Sequence, residues 1–223
     1  MKKVQLAGKS FLLDASGVLF WPDQEIVVVA DLHLEKATYF AQQGQLLPPH
    51  ESLETLSKLQ TVLGRVACHS LILLGDSFHD AEGFGRLDDP AKLLWEQICT
   101  EYSVTFVFGN HDGLFVPPNT IGTDVLELDG ITFRHQASKN SIAEISGHHH
   151  PKASLRVRGN LIKRPCFVVD VNRIILPAFG TFTGGLDVLS KEVSDLLLPD
   201  FNVYLLGEHK LYSFPRHRLC TKL

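Results

Sequence analysis

The sequence predicts an α/β fold of two packed mixed β-sheets flanked by helices, and three observations carry that expectation. The first half alternates unbroken aliphatic runs with stretches of helical periodicity. Beyond residue 120 the runs turn short and β-type, broken by Gly, Asn and Pro, which suggests a second, mainly antiparallel sheet. With 223 residues and 44% hydrophobic content the chain can bury a substantial core, and its length suits one domain over residues 1–223 better than two small ones.

Taken in order, Phe11 to Leu13 and Val18 to Trp21 flank Asp14-Ala15-Ser16-Gly17, a turn-forming cluster that predicts a hairpin. Ile26 to Ala30 follows as a strand whose continuous apolar character implies cover on both faces, with Asp31 at its carboxyl end. Leu53, Leu56, Leu59 and Leu63 recur at helical spacing, and Leu71 to Leu74 is a second buried strand running into Gly75-Asp76. Asp89 and Pro90 fit an N-cap and first helical position for a helix through Leu93, Leu94 and Ile98. Val104 to Phe108 is a third buried strand, ending at Gly109-Asn110-His111-Asp112. Open α/β sheets place their ligands at such carboxyl ends. The later β-type runs are Val125 to Leu128, Ile131 to Phe133, Leu155 to Val157, Phe167 to Val169 and Ile174 to Leu176. A helix between Asp187 and Leu198 and strands at Val203 to Leu206 and Leu211 to Phe214 complete the expectation.

Charge and cysteine usage exclude some classes. The formal charge is −4, which does not suit a protein that coats nucleic acid. That average hides a stretch from Arg134 to Arg173 with eight Lys or Arg against Glu144 and Asp170, a local +6 that leaves −10 for the rest. A solvated face explains such a stretch as readily as an anionic partner does. Cys68, Cys99, Cys166 and Cys220 lie far apart with no C-x-x-C pair, unlike a disulfide framework or zinc knuckle. Lys2 and Lys3 could open a signal sequence, but Lys9 and Asp14 interrupt the apolar stretch that should follow, and no window approaches a membrane span. A soluble cytoplasmic protein is the expectation.

The residues that point to chemistry are Asp31 and His33 in D-L-H, Asp76 and His79 in G-D-S-F-H, Asn110 and His111 in G-N-H-D, His135 in R-H-Q, and His148 and His150 in G-H-H-H. Asp31 and His33 stand two apart just past a strand end, where both can face one ion. His148 and His150 share that spacing and are expected on one face of a strand, with His149 pointing away. Carboxylate, imidazole and amide oxygen make a mixed, fairly hard ligand set that suits manganese, iron or zinc and lacks the thiolates of a closed structural zinc site. Singly, each motif has a plainer explanation: a chance D-x-H, a solvated histidine turn, a glycine turn flanked by Asn and Asp. Their joint appearance, in this order and mostly at strand ends, favours a metal site.

This series resembles the calcineurin-like metallophosphoesterases, whose motifs run D-x-H, G-D, G-N-H-[DE], H and G-H-x-H. The match extends further: A-D-L-H-L-E-K (Ala30 to Lys36), L-G-D-S-F-H-D (Leu74 to Asp80) and L-P-A-F-G-T-F-T-G-G-L-D (Leu176 to Asp187) are similar to the bacterial subgroup of ligase-associated DNA-damage-response endonucleases or phosphodiesterases. The resemblance implies that Asp31, His33 and His150 hold one metal, that Asn110, His135 and His148 hold the other, and that Asp76 bridges them. It implies His111 as a general acid or transition-state stabiliser and His79 as a support for substrate or leaving group. His135 precedes Gln136 where the wider family often has Gly, so a buried loop histidine is its competing reading.

The implied reaction is in-line attack on phosphorus by a hydroxide shared between two metals about 3.5–4 Å apart. Manganese is the favoured ion. A phosphodiesterase or endonuclease linked to DNA repair is the leading expectation, with DNA as substrate and DNA ligase or helicase repair proteins as partners by resemblance. Arg134 and Lys152, adjacent to the later histidines, are the expected substrate-binding cations. Rival readings are a small-molecule phosphomonoesterase or nucleotide hydrolase and, ranked lower because every ligand position is filled, a noncatalytic protein-binding scaffold.

Overall fold

Side-chain alternation along the strands divides the apolar residues between three layers. The structure, a computed structural model, describes residues 1–48, 50–113 and 115–220. Its first sheet has seven strands in chain order: β1 (Lys2–Leu6), β2 (Lys9–Leu13), β3 (Leu19–Trp21), β4 (Ile26–Val29), β5 (Ser70–Leu74), β6 (Ser103–Val107) and β7 (Thr120–Thr123). The first four form an antiparallel meander, and β4 to β7 run parallel. On one face Val27, Val29, Leu71 and Leu73 pack under helices α2 (Glu51–Leu63) and α4 (Asp89–Glu101), against Leu56, Leu59 and Trp95. On the other, Val28, Ile72 and Leu74 meet Phe133, Ile145 and Phe167 of the second sheet. Each fully buried aliphatic or aromatic side chain of this kind contributes roughly 1.5–3 kcal/mol. No helix among the described residues is long and apolar enough to cross a membrane.

The second sheet has eight strands: β8 (Val125–Leu128), β9 (Ile131–Arg134), β10 (Glu144–Ser146), β11 (Lys152–Val157), β12 (Asn160–Val169), β13 (Arg173–Ile175), β14 (Asn202–Leu206) and β15 (Leu211–Pro215). Its order is β15-β14-β12-β13-β10-β9-β8, and β11 pairs only with the outer part of β12. This sheet is mixed, because the three-residue β10 lies parallel to both β9 and β13. A three-residue strand with Glu144 and Ser146 flanking one apolar residue carries no periodicity, so it could not be anticipated. The consequence reaches function: the carboxyl ends of β9, β10 and β13 all emerge at one edge.

Three local expectations need correction. The N-cap of α4 is Asp88, whose Oδ1 accepts the Ala91 N–H at 2.9 Å, so Asp89 and Pro90 sit one position inside. The helix expected between Asp187 and Leu198 shrinks to one turn, α5 (Lys191–Ser194). There the Asp187 carboxylate closes its own turn on the Leu189 N–H, and the buried Asp170 takes the Leu198 N–H at 3.0 Å. His148 and His150 lie past the end of β10 and belong to no strand.

Candidate metal centre

Parallel strands deliver their carboxyl ends to one edge, and that edge collects the polar motifs. The chain leaves β4 at Asp31 and β5 at Asp76, and the two loops stay bonded past the strands. Asp31 N–H donates to the Gly75 carbonyl (3.1 Å), His33 N–H to that of Asp76 (2.9 Å) and Leu34 N–H to that of Ser77 (2.9 Å). Opposite them the Gly147 N–H donates to the His135 carbonyl (2.9 Å), which joins the loops after β9 and β10. The His148 N–H donates to the Asp31 carboxylate at 3.0 Å, linking the two sheets.

Strand pleating does not align the paired ligands. Asp31, His33, Asp76, His148 and His150 all have left-handed backbones, with φ of 56°, 48°, 49°, 69° and 44°. Each such non-glycine residue costs roughly 1–3 kcal/mol unless its surroundings over-determine it. Both members of each D-x-H or H-x-H pair share this conformation, and so present their side chains alike. The glycines that precede these residues are closely packed. Gly75 is left-handed at φ 78°, and a Cβ there would fall 2.2 Å from His135 Nδ1. Gly75→Ala is therefore expected to lose roughly 1–2 kcal/mol from backbone strain alone and to displace His135. Thermal unfolding and metal titration check this, and an alanine variant with unchanged Tm and metal content would refute it.

Two groups of ligand atoms result, each within 4.8 Å of one another: Asp31, His33 and His150 form one, and Asp76, His135 and His148 the other. Within the first, His33 Nε2 and His150 Nε2 face each other at 3.2 Å, with His150 Nε2 3.4 Å from Asp31 Oδ1. Within the second, His148 Nδ1 and His135 Nε2 are 3.0 Å apart, and His135 Nε2 is also 3.0 Å from Asn110 Oδ1. Facing imidazole nitrogens share at most one proton between neutral rings, so their convergence on carboxylate and amide oxygens fits a cation between them. The groups adjoin: Asp76 Oδ2 is 3.3 Å from His135 Nε2 and 3.9 Å from His33 Nε2.

Burial and neighbouring charge shift four of these side chains. Burial, with His150 and His111 nearby, pushes His33 down to about 3, and burial with His135 lowers His148. Burial opposes ionisation of Asp76, but hydrogen bonds and charge from His135 and His111 outweigh it and hold the carboxyl down at about 2. Burial also opposes a charge on His135, yet the Asp76 and Asp31 carboxylates raise it above the usual imidazole value.

His111 belongs to neither group. Its Nδ1 donates to the His79 carbonyl (2.9 Å), its ring stacks on His79 at 5.1 Å, and Nε2 lies 4.0 Å from Asp76 Oδ2. His79 lies beneath it, packed edge-on by Tyr39 of α1 (Lys36–Gln42) at 4.7 Å, and is pushed down to about 4 by burial, Lys36 and His111. His149 is buried with Nε2 unpartnered and joins no ligand group among the described residues. Arg134 shares a cavity of about 330 Å³ with Asn110 and His135, its Nε 3.7 Å from the buried Glu144. Lys152 instead donates to the Thr183 carbonyl at 3.2 Å.

Sequence reasoning missed three supports of the site. Asp112, the last residue of G-N-H-D, is buried and accepts the Phe78 and Gly109 N–H groups at 2.9 Å each, pinning the loops after β5 and β6 together. Gly109 is needed because a Cβ there would fall 2.2 Å from the Asp76 nitrogen. The motif itself signalled both, though not their task. Lys36 also escaped notice, its ammonium donating to the Phe182 carbonyl at 3.0 Å beside the first group.

No family model and no curated protein matches the sequence. Among solved structures, the Pseudomonas putida nuclease MPE is 26% identical and superposes with a TM-score of 0.72, over 96% of this chain and 99% of that one. A Streptococcus pneumoniae predicted phosphoesterase is 18% identical over 86% of this chain and 97% of its own, with a TM-score of 0.33. A Vps29 double mutant from Entamoeba histolytica is 16% identical over 85% and 97%, with a TM-score of 0.36.

Proposed function

We propose, from a calcineurin-like metallophosphoesterase fold that carries two adjoining ligand groups, that this protein is a dinuclear metal-dependent phosphodiesterase acting on DNA. The observation that carries the proposal is Asp76 Oδ2, within 3.3 Å of a nitrogen in its own group and 3.9 Å of one in the other. Asp31, His33 and His150 would hold one ion, Asn110, His135 and His148 the other, and Asp76 would serve both. Manganese suits this mixed oxygen and nitrogen set, which iron and zinc also tolerate. When bound, two such ions supply a nucleophile from water at neutral pH and neutralise phosphate charge.

The chain's own groups position the rest. Asn110 adds a neutral oxygen, leaving net positive charge for an anionic substrate. His111, with Nδ1–H committed to the His79 carbonyl, presents Nε2 toward the metal centre and carries a proton there only as imidazolium. In that state it can donate to a developing oxyanion or leaving oxygen. His79 acts through His111, by the stacked ring and the anchoring carbonyl.

Diester and DNA specificity find support in the basic stretch, whose members separate in the fold. Arg173 is buried against Glu144 at 3.3 Å and serves structure. Arg156, Arg158, Lys163 and Arg164 are exposed on the β11–β12 hairpin, which begins two residues beyond His150 and turns at left-handed Arg158 and Gly159. Phosphate contacts by such residues release counterions, so DNA affinity falls steeply with salt. Manganese-supported turnover of diesters over monoesters is expected, lost on chelation. Neutralising those four residues should reduce the salt slope of DNA binding by up to about four contacts, with small-diester turnover as the control for the metal centre. Monoester preference together with no DNA binding at low salt would replace this reading with a small-molecule phosphatase. A DNA-repair role, with ligase or helicase proteins as partners, extends the proposal by resemblance. The four unpaired cysteines support a reducing, cytoplasmic setting.

A further inference from the structure

The segment after β13 is part of L-P-A-F-G-T-F-T-G-G-L-D, whose second phenylalanine is Phe182. This segment lies against the first ligand group at both ends. The Gly180 N–H donates to the Asp31 carbonyl at 3.1 Å, and a Cβ on Gly180 would fall 1.9 Å from the Leu32 oxygen. A Cβ on Gly185 would fall 2.2 Å from the His150 oxygen. Between them Phe182 stands 50% exposed, with no aromatic or cationic partner among the described residues. A lone exposed apolar side chain is ordinary on a protein surface. Phe182 differs in its backbone, left-handed at φ 53°, a conformation that bulky residues keep only where the surroundings hold it. Two lysines do so: Lys36 donates to the Phe182 carbonyl at 3.0 Å and Lys152 to the Thr183 carbonyl at 3.2 Å. Each ammonium has further N–H donors to offer.

We propose that Phe182 is a nucleobase platform on the rim of the metal centre, flanked by Lys36 and Lys152 as contacts for the adjoining phosphates. An exposed ring between two ammonium groups matches the alternation of flat base and anionic linkage in a nucleic-acid strand, whereas a diester without a base would use only the cations. Aromatic platforms of this kind bind unpaired bases with little sequence preference. This inference rests on the phosphodiesterase reading and deepens it.

The test compares a short single-stranded oligothymidylate with an abasic phosphodiester strand of equal length, using the manganese-loaded enzyme. Wild type should favour the thymidylate strand by roughly 5- to 100-fold in kcat/KM, the range expected of one stacked base. In Phe182→Leu, which keeps a Cβ and hence the same backbone demand, the ratio should collapse toward one, and Phe182→Trp should restore it. Indole fluorescence of the Phe182→Trp variant should be quenched by the thymidylate strand and not by the abasic one. Equal handling of both strands by wild type, or an unchanged ratio in Phe182→Leu, overturns the platform and leaves the diesterase reading standing. Failure to cleave either strand overturns both.

Discussion

Asp76→Asn is expected to abolish phosphoester hydrolysis while leaving the protein folded. Asparagine has nearly the same shape, and its amide oxygen can still accept the His111 N–H that Asp76 Oδ1 accepts at 2.9 Å. What disappears is the charge at Oδ2, and in its place an NH2 group can stand 3.3 Å from His135 Nε2. A carboxylate that serves two ions cannot be replaced by a neutral donor without weakening both. The loss should match or exceed that of a single transition-state donor, about 10³-fold or more. Metal content should fall in parallel, and thermal unfolding of the metal-free forms should show the variant no less stable than wild type. Turnover of the variant at wild-type rates, or full turnover of chelated wild type, would remove the two-metal proposal.

The second large effect separates chemistry from ligation. His111→Ala should keep its metals, because the His111 ring belongs to neither ligand group, yet it should slow hydrolysis by roughly 10²–10⁴-fold, the range for a positioned acid or donor. His150→Ala removes a nitrogen 3.4 Å from Asp31 Oδ1 and 3.2 Å from His33 Nε2, so it should lose activity through lost metal. Elemental analysis of the two variants, set beside their rates at saturating manganese, decides between the roles. Equal metal depletion in both would make His111 a ligand. A His111→Ala enzyme of normal rate would leave the acid to another group.

Much of this architecture could be read from residue order. Unbroken runs at residues 26–29 and 71–74 demanded cover on both faces, because adjacent side chains of a strand point opposite ways, and the structure provides that cover with helices on one side and the second sheet on the other. The motif residues at strand ends were visible for the same reason: polar groups that interrupt apolar runs must sit where the sheet stops. Short-range signals also misled. Helical spacing between residues 187 and 198 gave way to the Asp187 and Asp170 carboxylates, which capture N–H groups that a longer helix would need.

The sequence by itself determined which side chains could bind a metal, and that they cluster near strand ends, since residue chemistry and hydrophobic periodicity are local properties. Their division into two adjoining groups, which the family resemblance implied, has its physical cause in the tertiary structure. Parallel pairing of β10 with β9 brings His135 and His148 to one edge, where antiparallel pairing would have set them at opposite ends. The left-handed backbones of Asp31, His33, His148 and His150, held by bonds from distant loops, aim the side chains in a way no spacing rule supplies. Likewise, Phe182 reaches the rim because β13 runs parallel to β10 and its loop is braced by lysines 146 and 31 residues away in the chain. Such long-range contacts are settled by packing the two sheets together, and no window of neighbouring residues encodes them.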